Sequence, residues 1–146
     1  MRLYIDTSVF SAYVDERSPE RMRTTHLLWS KLESGELFCS KLTLDEIEHA
    51  PEERAKQMRD LTAKMQIVGL APKTLELAQV YVAQGVVSPR HITNALHVAA
   101  AMQAEADILL SWNFTHLVNR RTRLLVNYVN ATRGVRAIEI LAPPEL

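Results

Sequence analysis

Short apolar runs, each followed by a stretch of helical period, constrain this chain more than any other feature. The runs cover residues 2–6, 37–40, 67–70, 108–112 and 137–141. Each has the length of a strand and is too short for a buried helix. In the intervening segment 20–34, Met22, Thr25, Leu28, Trp29 and Leu32 fall at helical spacing, and Gly35 follows as a stop signal. Further helices are expected over 8–14, from Pro51 through Met65, over 74–83 after Pro72, over 93–104, and over 124–131 before Gly134. Thr43 is expected to cap a helix from Leu44 to about His49, with Glu46 at its third position as in a capping box. Strands alternating with helices predict an α/β fold with a mostly parallel central sheet. With no repeat, low-complexity tract or linker in 146 residues, the chain reads as a single domain, 1–146.

Charge narrows the function classes. Lys+Arg and Asp+Glu both total 17, so no global basic excess announces a nucleic-acid binder. Contact with RNA must come from local patches, of which Arg120-Arg121-Thr122-Arg123 is the best; by itself that run reads first as a solvated loop. The lone cysteine, Cys39, excludes an intramolecular disulfide, agrees with a reducing cytoplasm, and reads as a small buried hydrophobe. No apolar run approaches the roughly 20 residues of a membrane span, and the N-terminal residues lack the apolar segment of a signal peptide. The expectation is a soluble, cytoplasmic protein.

In an open parallel sheet, ligands gather beyond the carboxyl ends of the strands. Asp6 stands there at the end of the first run, in Tyr4-Ile5-Asp6-Thr7-Ser8. Taken alone, it reads equally well as a helix cap. Ser40 ends the second run and Glu46 follows within the next helical turns. Asn94 opens the apolar helix, and Ser111-Trp112-Asn113 ends the fourth run. Oxygen donors clustered in this way suit Mg²⁺ or Mn²⁺, and a bound metal activates water and stabilises charge on a phosphate.

Neighbouring residues are weighed by position. Asp107 precedes Ile108 and so belongs to the opposite edge, more than ~15 Å away at about 3.3 Å per residue. Asp45 points about 100° from Glu46 on a helix, and Glu48 is a weaker alternative. Ser8 serves as a cap, or holds a metal-bound water or a phosphate. Ser111 bonds nearby backbone, or orients Asn113 or a ligand. His97 shares a helix face with Asn94 and reads first as a packed, hydrogen-bonded core residue, second as a contact to substrate or a carboxylate. His116 is a remote candidate for phosphate. Trp29 and Trp112 read as core or interface residues.

These residues carry a resemblance. Tyr4-Ile5-Asp6-Thr7-Ser8-Val9-Phe10, Ser40-Lys41-Leu42-Thr43-Leu44-Asp45-Glu46-Ile47, Asn94-Ala95-Leu96-His97-Val98-Ala99-Ala100-Ala101 and Ala106-Asp107-Ile108-Leu109-Leu110-Ser111-Trp112-Asn113-Phe114 occur in the order and at the separations of a PIN domain. The chain resembles, over nearly its whole length, the VapC-type toxin ribonucleases of that family. The resemblance implies a three-layer α/β/α sandwich and a metal-dependent endoribonuclease using Mg²⁺ or Mn²⁺. Asp6 matches the family's first acid, Glu46 its second, Asn94 its third and Asn113 its fourth. Asp6, Glu46 and Asn94 are then the implied metal ligands, with Ser8, Ser111 and His97 as accessory residues. It further implies RNA as substrate, a small antitoxin protein as partner, and a homodimer.

Two of the four acidic positions hold amides. An amide oxygen still coordinates a hard cation, but each asparagine removes a full negative charge and cannot act as a general base. The alternative function is therefore a catalytically impaired PIN fold that binds RNA or a protein partner. A phosphatase-like reading with Asp6 as nucleophile is set aside, because no Gly-rich phosphate loop is present and the chain has only four glycines.

Overall fold

Five strands form one sheet in the order β3-β2-β1-β4-β5, and every neighbouring pair runs parallel. They are β1 (Arg2–Ile5), β2 (Glu36–Ser40), β3 (Gln66–Val68), β4 (Ile108–Leu110) and β5 (Glu139–Leu141). The computed structural model describes residues 1–32 and 34–146. The N-terminal run is the central strand, with Tyr4 registered between Phe38 and Leu109. A central parallel strand is covered on both faces, which is why its sequence is continuously apolar.

Side chains alternate across each strand, and the core divides accordingly. Leu3, Ile5, Cys39, Ile108 and Leu110 pack with α1 (Thr7–Val14), α2 (Pro19–Leu32), α3 (Lys41–Glu48) and α4 (Glu52–Leu61). Tyr4, Phe38, Leu109 and Ile140 pack with α5 (Pro72–Ala83), α6 (Ile92–Gln103) and α7 (Arg120–Thr132). The result is the expected α/β/α sandwich. On α6, alanines 95, 99, 100 and 101 are all buried, so that helix lies close against the sheet. Burial pushes the Cys39 thiol up to about 12, as suits an inert core residue.

Three local expectations are corrected. Thr43 does not cap α3. Ser40, in extended conformation at φ −125° and ψ 172°, is the cap residue, and the helix starts directly from β2. Thr43 is instead the third helical residue, its hydroxyl accepting the Ser40 N–H at 3.4 Å. Glu46 consequently lies in the second turn of α3. The run Arg120-Arg121-Thr122-Arg123 is not a loop but the first turn of α7, capped by Asn119, whose side chain accepts the Thr122 N–H at 2.8 Å. The charged helix from Pro51 ends at Leu61 and gives way to a 3-10 turn over Thr62–Lys64. The second helix runs to Leu32; its expected extension to Ser34 crosses residue 33, outside the described residues. Gly85 and Gly134, with φ of +78° and +67°, follow α5 and α7 in the left-handed conformation that closes a helix.

No helix among the described residues is long and apolar enough to cross a membrane.

Candidate active site

The carboxyl ends of β1, β2 and β4 bring the candidate residues to one edge of the sheet. Asp6 leaves β1 and is the N-cap of α1. It is only 5% exposed, and its Oδ2 is heavily used. The hydroxyl of Ser8 donates to that atom at 2.6 Å and the hydroxyl of Ser111 at 2.8 Å, while the Ser8 N–H lies at 3.4 Å. Capping and site-building are thus one arrangement. Ser8 Oγ also accepts the Trp112 N–H at 2.9 Å, and Ser111 Oγ accepts the Asn113 N–H at 2.9 Å. The two serines therefore tie the end of β4 to the end of β1 through Asp6.

Glu46 reaches the same place from α3. Its Oε1 accepts the Thr7 hydroxyl at 2.9 Å and lies 2.5 Å from His97 Nε2. The same imidazole nitrogen is 3.4 Å from Asp6 Oδ1. On its other side, His97 Nδ1 is 2.9 Å from the Tyr4 hydroxyl, which donates its single proton to Ser40 Oγ at 2.8 Å. Nδ1 thus faces the Tyr4 hydroxyl and Nε2 the two carboxylates, so the ring is held from both sides. His97 is buried, so it is a packed core residue and a site residue at once.

The titration of this group follows from its neighbours. Burial pushes His97 down, but the charge of Asp6, and then the hydrogen bond and charge of Glu46, outweigh it and hold the imidazole above its ordinary value. Burial likewise pushes Glu46 up, and its bond to His97, the imidazole charge and the Thr7 hydroxyl bring it below its ordinary value. A raised histidine contributes stability that is complete below its unfolded value and is lost as pH rises through the folded one. A depressed carboxyl contributes above its unfolded value and loses that as pH falls through the folded one. Both contributions coexist between the ordinary values, 4.5 for Glu46 and 6.5 for His97. Urea denaturation of the wild type and of His97→Gln across pH should show their stability gap widest in that window and narrowing on either side. A gap independent of pH would mean that the pair is not ionised.

Asn94 and Asn113 meet each other. Asn113 Nδ2 donates to Asn94 Oδ1 at 3.0 Å, and Asn113 Oδ1 accepts the His116 N–H at 2.9 Å. Asn94 stands one turn before His97 on the same face of α6. Two facing carboxylates here would repel; the amide pair instead holds the loop after β4 to α6 without charge.

The remaining candidates lie elsewhere. Asp45 is exposed, and Glu48 pairs with Arg59 at 2.8 Å. Asp107 lies at the opposite edge, where it accepts the Arg2 N–H at 2.8 Å and pairs with Arg136. Trp112 is buried, its indole N–H donating to Thr25 Oγ1 at 3.0 Å. Trp29 stands edge-on to Phe10 and Tyr13. Sequence reasoning missed Tyr4 and Thr7 as site partners. The signal for Tyr4 was a hydroxyl within a buried run, since such a group needs a hydrogen-bond partner.

Among the described residues, no three His, Cys, Asp or Glu side chains form a metal-ion cluster. The donors present are two carboxylates and an amide oxygen. Asp6 Oδ1 has only the 3.4 Å approach of His97, and the bonds to Glu46 converge on Oε1, leaving Oε2 available. Such a set does not make an all-protein cage. It fits a hard cation that keeps several waters and binds through one or two carboxylates.

The all-parallel five-stranded α/β sandwich defines the class of fold. Solved structures share it. A VapBC2 structure from Rickettsia felis, bound to a DNA fragment from its promoter, aligns over 97% of this chain and 98% of its own, with a TM-score of 0.59 and 12% identity. VapC20 of Mycobacterium tuberculosis, described as a sarcin–ricin-loop-cleaving toxin, aligns over 78% of this chain and 92% of its own, with a TM-score of 0.62 and 14% identity. The chain therefore has the PIN fold of VapC toxins. No protein-family model and no curated protein matches the sequence.

Proposed function

We propose that this protein is a metal-dependent endoribonuclease of the VapC type that hydrolyses RNA phosphodiester bonds with a reduced acid set. One observation carries the reading: Asp6 and Glu46, 40 positions apart in sequence, converge on the same imidazole nitrogen at 3.4 and 2.5 Å. Asp6 and Glu46 would hold Mg²⁺ or Mn²⁺, with Asn94 contributing a neutral oxygen. A metal bound there supplies activation of water and neutralises charge on the phosphate. Ser8 and Ser111 fix the Asp6 carboxylate, and Thr7 and His97 fix that of Glu46. Asn113 positions Asn94. RNA cleavage by the purified protein with Mn²⁺ or Mg²⁺, absent from an Asp6→Asn control, tests the reading.

The impaired-module alternative is favoured by a specific observation, the Asn94–Asn113 hydrogen bond where the resemblance expects acids. Replacing both, Asn94→Asp with Asn113→Asp, discriminates. If the amides belong to the metal site, two added negative charges would raise Mn²⁺ affinity at least ~10-fold, read by isothermal titration calorimetry. The same variant should be less stable than wild type without metal. Unchanged affinity would show that the amide pair is not part of a metal site.

The Rickettsia felis neighbour supports a small antitoxin protein as a partner for this chain, and the resemblance supports a homodimer in the cytoplasm. Leu124 and Tyr128, one turn apart on α7, are 61% and 65% exposed, and a partner would cover such side chains.

A further inference from the structure

We infer that the groove beside Asn113 is a subsite for one unpaired nucleotide of an RNA strand, its base held against Phe114 and the stacked imidazoles of His91 and His116. The inference rests on the RNA-cleaving reading above and assigns the residues that would position the strand. The groove, about 350 Å³, is lined by Ser88, His91, Phe114, His116 and Arg121 among others. It adjoins the candidate active site directly. The His116 N–H bonds Asn113, Asn113 bonds Asn94, and His91 lies immediately before α6, three residues from Asn94.

Its surfaces suit a nucleobase. Phe114 is 46% exposed, an unusual position for a large aromatic side chain on a loop at a strand end. The guanidinium of Arg21 lies 5.5 Å from its ring. The His91 and His116 rings stack with centroids 4.1 Å apart and planes 31° from parallel, and Ser88 Oγ holds His91 Nδ1 at 2.8 Å. Aromatic rings, imidazoles and guanidinium planes are the surfaces on which unpaired RNA bases stack.

Charge points the same way, although the chain is neutral overall. The acids at Asp15, Glu36, Glu48, Glu52, Glu76, Asp107 and Glu145 pair with arginines, none of which lines this groove. Among the described residues, Arg21, Arg23, Arg54, Arg90, Arg120 and Arg121 form no salt bridge; of these Arg121 lines the groove, and no acid does. Arg121 donates to the carbonyls of Gly85 and Val86, which leave its charge uncompensated. Arg120 and Arg121 also occupy the first turn of α7, which has no acidic residue. The helix dipole disfavours cations there, so helix stability does not account for them. An anionic strand laid across this end of the sheet does.

The test is fluorescence anisotropy with a labelled single-stranded oligoribonucleotide of about twelve uridines, on the whole protein in EDTA, so that no metal or cleavage enters the readout. Phe114→Ala should weaken binding roughly 5- to 100-fold, the range for loss of one base stack. Arg90→Gln, which removes a charge next to His91, should make the dependence of log K on log salt shallower by about 0.7. Both side chains are exposed, so folding is preserved. A wild type that does not bind in EDTA, or variants that bind like it, would overturn the subsite. Binding that depends on Phe114 in a protein unable to cleave with Mn²⁺ would keep the subsite and remove the nuclease reading. Cleavage that survives with Phe114 irrelevant to binding would do the reverse.

Discussion

Asp6→Asn is expected to lower metal-dependent RNA cleavage by roughly 10²–10³-fold, the scale on which removal of one preorganised electrostatic element acts. The substitution is nearly isosteric. Its oxygen still accepts from Ser8 and Ser111, so β1 and β4 stay joined. What it removes is one of only two full negative charges at the site. With acids at all four positions that loss would be shared; here Glu46 alone would remain. The amide nitrogen would also face His97 Nε2, where Asp6 Oδ1 now sits at 3.4 Å. Lowered rates with Mn²⁺ in a variant that still unfolds cooperatively would support the assignment; its midpoint should fall somewhat, because the Asp6 charge no longer faces His97. Equal rates in wild type and variant would assign any cleavage to another site or to a contaminant.

The second large effect is on stability. His97→Leu should destabilise the metal-free protein by about 3 kcal/mol, the low end for removing one partner of a buried pair. The low end applies because the Glu46 side chain is 37% exposed and can turn to water. Asp6 has no such escape, at 5% exposure. If its carboxylate is left without a cation nearby, added Mn²⁺ should restore part of the loss through binding to the folded state alone. Denaturant titrations with and without Mn²⁺ measure both parts. A variant as stable as wild type would show that the imidazole carries no charge in the native site.

Much of this was legible in the residues because it depends on local pattern. The five apolar runs mark the strands, since a doubly covered parallel strand excludes polar side chains over its length. Asp6, Asn94 and Asn113 could be placed at strand or helix ends for the same reason. Where reading failed, a capping contact three residues long was given to the wrong residue or not seen. Thr43 looks like a cap in sequence, but β2 runs straight into α3 and Ser40 takes the role. Arg120 to Arg123 look like a loop because of their charge, but Asn119, immediately before them, is a favourable cap and holds the Thr122 N–H.

The sequence by itself determined the alternation of strands and helices, the apolar runs that become the strands, and the placing of Asp6 at the end of the first of them. Those follow from periodicity and side-chain chemistry, which act over a few residues. Only the tertiary structure decided that His97 stands between Asp6 and Glu46, that Tyr4 supports it from behind, and that Asn94 and Asn113 hold each other. Each of those pairs joins elements whose separation is set by sheet order and helix packing. The placement of β1 between β2 and β4 is what brings residues 6, 46 and 97 to one edge.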